Sequence, residues 1–331
     1  MQGSGRAAIY SRMPFSLRFL GTSAARPTIE RGVSAIAIIR EGETLLFDCG
    51  EGTQRQMMRY GVSFGLDDLF FTHTHADHIL GLTGLLRTMA LQGRTDALRL
   101  WGPRGAGKTL RQCITLGGEH LTYPVTVTEI EAGSTLTRLD YDIVTFPVDH
   151  RGSRSLGYAV AEHDRLGRFN PELARSMGVP EGPLWGRLHK GETVTLSDGR
   201  HISPEMLVGD ARRGRKIVLT GDSRPCEAVV AAAWGADVLV HEATFANDEA
   251  ERALETGHST AEEAARVASA ASVRRLLLTH ISARYSRETE LLESEARAVF
   301  PNTQVARDGM EIVLPLTEEP AGPPVALSPE R

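Results

Sequence analysis

"FFTHTHADHILGL", residues 70 to 82, places His73, His75, Asp77 and His78 within six positions. The two phenylalanines close a short apolar run, so the stretch reads as the end of a buried strand. His73 and His75 are two apart, and period-two alternation points both rings to one face. Asp77 and His78 follow as the chain turns into "ILGLTGLLRTMAL" (79–91), whose apolar residues recur at helical spacing. Imidazole nitrogen and carboxylate oxygen suit zinc, with manganese or iron as alternatives. One metal can use the strand pair while a second uses the two turn residues.

The same design recurs along the chain, in short apolar runs that end in a residue of metal or acid–base type. "TLLFDCG" ends near Asp48, "YDIVTFPVDH" at His150, "KIVLTGDS" near Asp222, "ADVLVHE" at His241 and Glu242, and "RRLLLTH" at His280. Open sheets gather a site where several strands end. His150, Asp222 and His280 are therefore candidates to complete the ligand set. Helices are expected between the strands. Thr53 with Gln56 reads as a capping box before a helix stopped by Gly61, and Ser259 with Glu262 as a cap for "STAEEAARVASAA", with His258 just outside. Pro225 suits the first turn of "PCEAVVAAAW". The mixture predicts one α/β domain with two sheets in its middle.

The chain has 331 residues, 41% hydrophobic and 24% charged, as in soluble globular proteins. No apolar run reaches the ~20 residues that span a bilayer, and the start lacks a signal-peptide pattern. Cys49, Cys113 and Cys226 show no paired spacing, which predicts reduced thiols and a cytoplasmic address. Residues 1–14 and 317–331 are expected to be a disordered extension and tail around a catalytic domain of 15–316. The net charge of −5 does not point to nucleic acid. Residues 164–216 depart from it, with ten Lys/Arg against seven Asp/Glu, eight glycines and four prolines. Their apolar residues look too sparse for a core, so the segment is expected to be a protruding, flexible arm. "GPRGAGKT" (102–109) fits a phosphate-loop pattern, but it follows the cluster-bearing helix rather than a first strand, so no nucleotide cofactor is expected.

"HTHADH" is the signature of the metallo-β-lactamase superfamily. "FLGTSAARPT", "FDCGEGTQRQ", "GDSRP", "HEATF", "GHSTAEEAA" and "LTHISARY" together resemble the ribonuclease Z family over about residues 16 to 315. "GVPEGPLWGRLHKGETVTLSDGR" is similar to that family's tRNA-clamping arm. The resemblance implies an αββα sandwich and two zinc ions per chain. His73, His75 and His150 would hold one ion, Asp77, His78 and His280 the other, and Asp222 would bridge. It implies a homodimer acting on precursor tRNA, with no membrane partner. Water attacks, so the tRNA keeps a 3′-hydroxyl and the trailer a 5′-phosphate. Asp77 is the expected base, His241 held by Glu242 the expected proton donor, and His258 an orienting group. Arg187, Lys190 and Arg284 are candidate substrate contacts. In the family the loop after "LGT" reads P-x-K-x-R-N in members blocked by an encoded CCA end, and Ile29 and Gly32 depart from it. The competing function is hydrolysis of small esters, arylsulfatase- or lactonase-like, on the same metals.

Overall fold

The computed structural model describes residues 15–118 and 120–321. The expected extension, 1–14, and residues 322–331 of the expected tail lie outside them. The chain divides into a larger unit, made of the chain up to Arg138, Asp142–Val160 and Lys216–Pro315, and a smaller one, made of Leu139–Tyr141, Ala161–Arg215 and the chain from Leu316.

In the larger unit, β1 (Phe15–Gly21), β2 (Ala35–Arg40), β3 (Glu43–Phe47), β4 (Asp68–Phe70), β5 (Leu98–Pro103) and β6 (Val125–Ile130) form one sheet with β16 (Glu311–Val313), in the order β16-β1-β2-β3-β4-β5-β6. The second sheet runs β15-β14-β13-β12-β9-β8-β7. Its strands are β7 (Thr135–Thr137), β8 (Tyr141–Pro147), β9 (Leu156–Glu162), β12 (Lys216–Leu219), β13 (Val238–Glu242), β14 (Leu276–Thr279) and β15 (Thr303–Val305). Both sheets have parallel segments, β3 to β6 and β12 to β15. Parallel strands are covered on both faces, which is why "KIVL" and "LLLT" read as continuous apolar runs.

Helices α1 (Thr53–Tyr60), α3 (Leu82–Leu91) and α4 (Gly107–Thr115) cover the first sheet, and the four-residue α2 (Ala76–Ile79) precedes α3. Met57, Leu85 and Leu110 pack there on Leu46, Leu69 and Leu100. Helices α7 (Glu227–Ala233), α9 (Ala261–Ala270) and α10 (Glu290–Val299) cover the second, with α8 (Ala250–Thr256) leading into α9. Val229, Ala264, Ala268 and Leu292 meet Leu239, Leu276 and Leu278. Between the sheets, Tyr158 packs edge-on against Phe47 and Phe70, at 5.4 and 5.5 Å between centroids. Its hydroxyl donates to the Phe71 carbonyl at 2.7 Å. The layering is the expected αββα sandwich.

Local signals fared unevenly. Gly61 ends α1 in the left-handed region, φ 66°, as predicted. Thr53 does not cap α1: Gly52 does, at φ 82°, and the Thr53 hydroxyl donates to the Gly50 carbonyl instead. The capping box of α9 is Thr260 with Glu263, one residue on from the expected pair. Helix α7 starts at Glu227, after Pro225 rather than around it.

The smaller unit holds α5 (Pro171–Ser176), α6 (Pro183–His189) and the hairpin β10 (Val194–Thr195) to β11 (His201–Ile202). The expectation that it lacks a core is wrong. Ala174, Val179, Leu188, Val194, Ile202 and Leu207 are buried together, flanked by Phe169 and Trp185. Single apolar residues spread over several short elements converge, which no periodicity reveals. Arg215, buried, pairs with Glu162 at 2.6 Å. Residues 317–321, assigned to the tail from sequence, bond along this unit: Arg213 N–H to the Glu319 carbonyl at 2.9 Å and Ala321 N–H to Ala211 at 2.7 Å. Among the described residues no helix is long and apolar enough to cross a membrane.

Candidate metal centre

Seven side chains from four stretches of the chain converge. His73 follows β4, His75 precedes α2, and Asp77 and His78 lie on it. His150 follows β8, Asp222 follows β12, and His280 follows β14 in the left-handed region, φ 55°. His73, His75, His150 and Asp222 bring one donor atom each within 4.8 Å of one another, and so do Asp77, His78 and His280. The Asp222 carboxylate stands between. Its Oδ2 faces Nε2 of His73 and His150, at 3.6 and 3.9 Å, and its Oδ1 faces Nε2 of His78 and His280, both at 3.4 Å. Asp77 Oδ2 lies 3.2 Å from His280 Nε2 and accepts the Ala25 N–H at 2.8 Å.

The surrounding hydrogen bonds set the tautomers. His78 Nδ1–H donates to Asp48 Oδ2 at 2.7 Å, and His150 Nδ1–H to the Gly257 carbonyl at 2.9 Å. The Thr72 hydroxyl donates to Asp48 and so accepts from His73 Nδ1, at 3.0 Å. The Thr244 hydroxyl donates to Glu242 and accepts from His280 Nδ1, at 2.9 Å. Every one of these four rings therefore aims an Nε2 lone pair at the centre. Backing of this kind fixes ring orientation around a metal. Three of the inward atoms, His73 Nε2, His78 Nε2 and Asp222 Oδ1, are buried with no hydrogen-bond partner. Such groups are costly to leave unpaired, and a cation would satisfy all three.

The electrostatics agree. Burial would raise the Asp222 pKa, but His280, His78 and His73 hold it far below the usual carboxylate range. Burial lowers His73 and keeps it neutral. Burial also opposes charge on His78, yet Asp222 and Asp48 raise it. Buried carboxylates here demand positive charge in their midst.

Beside the cluster, Glu242 Oε1 lies 2.7 Å from His258 Nδ1. Glu242 holds His241 through its backbone alone, and the carboxylate turns to His258 instead. Along β13 the side chains alternate, and His241 shares the face of Leu239 and Ala243, which pack into the helix-covered core. Its Nδ1–H donates to the backbone carbonyl of Glu242 at 2.8 Å, and the ring is fully buried. His258, read from sequence as an orienting group, takes the place by the site. Arg224 holds it there, donating to the His258 carbonyl at 2.7 Å and to both oxygens of Glu263, the α9 capping carboxylate. Sequence reading missed Arg224, Thr72 and Thr244, although each sits one or two residues from a motif residue. Arg284 pairs with Glu249 and lies over the Phe245 ring. Arg187, on α6, pairs with Glu192 at 2.8 Å, and Lys190 ends that helix, both in the smaller unit.

A family model described as a beta-lactamase superfamily domain matches residues 187–281, and one described as anti-Pycsar protein Apyc1 matches residues 15–161. Ribonuclease Z of Gemmatimonas aurantiaca is 68% identical over 313 residues, covering 94% of this chain and 100% of that protein. The chain belongs to the ribonuclease Z family. A second ribonuclease Z, from Myxococcus xanthus, is 51% identical over 91% of this chain and 98% of its own length. The crystal structure of the short form of human tRNase Z, 28% identical, superposes with a TM-score of 0.65 over 90% of this chain and 98% of that one. The metallo-β-lactamase fold protein YhfI of Bacillus subtilis, 19% identical with a TM-score of 0.64, shares the fold. As a ribonuclease Z family member, the chain is a metal-dependent enzyme of this superfamily.

Proposed function

We propose that the protein is a zinc-dependent endoribonuclease that removes the 3′ trailer from precursor tRNA. The tRNA keeps a 3′-hydroxyl and the trailer a 5′-phosphate. The observation that carries this is one carboxylate, Asp222, facing two separate donor groups, with the Glu242–His258 pair beside them. His73, His75 and His150 would hold one zinc, Asp77, His78 and His280 the other, and Asp222 both. Ions there would lower a water's pKa from 15.7 to about 7 and offset charge on the phosphoryl oxygens.

The chain's own groups do the rest. Asp77, fixed by the Ala25 N–H, orients the attacking water and accepts its proton. His258, held by Glu242 on one side and Arg224 on the other, protonates the departing 3′-oxygen. Residues 164–216, with their basic bias, grip tRNA through phosphates, and two copies of the chain form the working dimer. Incubation with precursor tRNA, with end mapping and metal analysis, tests the reading. Trailer removal giving the stated ends is expected. Turnover of esters alone would select the small-ester hydrolase instead.

A further inference from the structure

The phosphate-loop-like stretch 102–109, "GPRGAGKT", joins β5 to α4 and has no part in the site above. Three of its backbone donors, those of Gly105, Ala106 and Gly107, are already taken. Gly107 N–H donates to Glu129 Oε1 at 2.8 Å, and with a second N–H, from Gly105, holds the Glu129 carboxyl below the usual range. Glu129 stands on β6 opposite Gly102 of β5. A protein carboxylate thus occupies the nest that a nucleotide phosphate would need.

What the loop turns outward is positive. Arg104 and Lys108 are exposed, and Arg111 follows on α4. Arg154 joins them from another segment: its Nη1 lies 3.4 Å from where a Cβ on Gly105 would stand. Arg151, also exposed, is three residues before it. Against these five cations stand Glu129, spent on the loop backbone, and Glu131, 3.7 Å from Arg104. Lys108, Arg151 and Arg154 have no ion-pair partner among the described residues. Unneutralised cations clustered in a chain of net charge −5 are a footprint for a polyanion.

The patch is tethered to the site. His150, a metal-cluster residue, is four residues from Arg154, so their Cα atoms are within about 14 Å. On the other flank, a Cβ on Gly257 would lie 2.8 Å from the Arg151 Cβ, and the next residue is His258. Resting on the reading above, His258 protonates the 3′-oxygen that stays with the tRNA, so the patch flanks the tRNA side of the scissile bond. We propose that Arg104, Lys108, Arg151 and Arg154 form a phosphate-binding surface for the acceptor end of the substrate tRNA, distinct from the smaller unit.

The test is Lys108→Ala/Arg154→Ala in the full-length, metal-loaded protein, with Lys108→Glu/Arg154→Glu as a stronger variant. For precursor tRNA, KM should rise about tenfold for the alanine pair with kcat little changed, an effect of about 1.4 kcal/mol. The slope of log KM against log salt should become shallower by about 2, one per lost phosphate contact. Mature tRNA, as a product inhibitor, should weaken by the same factor as KM. Hydrolysis of bis(p-nitrophenyl) phosphate should be unchanged. An unchanged inhibition constant for mature tRNA overturns the proposal, as does a defect that grows with trailer length or an equal loss on the small diester. If the wild type fails to cleave precursor tRNA, the function itself falls. If it cleaves and both variants match it, only this surface does.

Discussion

Glu242 and His258 form a carboxylate–imidazole pair beside the ligand cluster, 2.7 Å apart. Burial opposes charge on His258, yet Glu242 draws its pKa up to about 9. The Glu242 carboxylate is itself fixed by the N–H groups of Ser223 and Ser259, at 3.0 and 3.1 Å, and by the Thr244 hydroxyl at 2.7 Å. A held, protonated imidazole is what an alkoxide leaving group needs.

His258→Ala should therefore lower kcat on precursor tRNA by roughly 10²–10⁴. On a p-nitrophenyl diester, whose leaving group needs no proton, the loss should be at most a few-fold. Replacing His241 should lower the unfolding midpoint through a cavity and leave the ratio of the two rates unchanged. Comparable losses on both substrates in His258→Ala would show that its role is not proton donation.

Asp222→Ala should deplete both metal positions together, because its two oxygens face different histidine pairs. Elemental analysis should fall from two metals per chain to less than one, where His75→Ala spares the Asp77, His78 and His280 group. Retention of one full equivalent in Asp222→Ala would assign that carboxylate to one position alone.

Asp68, fully buried on β4, takes a two-point contact from Arg99 at 2.7 Å, with Trp101 at 2.7 Å and Arg138 at 2.9 Å. Burial raises its pKa, but these partners outweigh burial and hold it below the usual carboxylate range. A carboxyl depressed on folding stabilises above its unfolded pKa, and the contribution is lost as pH falls through the folded value. Asp68→Asn should cost about 2 kcal/mol at pH 7, less than the ~3–5 of a fully buried pair because Arg99 is half in solvent. In urea titrations the deficit should shrink steadily below about pH 4. A deficit independent of pH would mean that shape, not charge, holds this position.

The convergence of the candidate ligands was legible because four of them, His73, His150, Asp222 and His280, follow short apolar strands, so composition and position say the same thing there. His241 misled for the same reason: it too ends such a run. Alternation settles it, since neighbours on a strand face opposite ways, and Glu242 is the one turned to the site. His258 has no strand to announce it, only the α9 cap two residues later. Arg224 and Thr244 act through carboxylates distant in sequence, and such contacts leave no spacing to read. The small core around Leu188 and Trp185 is invisible for a related reason, since its members come from four short elements and the loops between them.

The smaller unit buries its own core. Exchanging residues 168–208 for a short Gly/Ser linker should preserve both metals and turnover of a small phosphodiester, while precursor-tRNA cleavage falls by orders of magnitude through binding. Parallel loss of both activities would give the segment a role in folding instead.

The strands on either side of that segment, β9 and β12, are neighbours in the sheet, and the pairing continues past them as an antiparallel bridge between Arg165 and Arg212. The insertion thus leaves and re-enters at points one strand spacing, about 4.8 Å, apart. Descent can exploit this. A genetic exchange with its two breakpoints there would swap the inserted segment while its flanking strands keep their places in the sheet, so the segment and the metal cluster can be inherited separately.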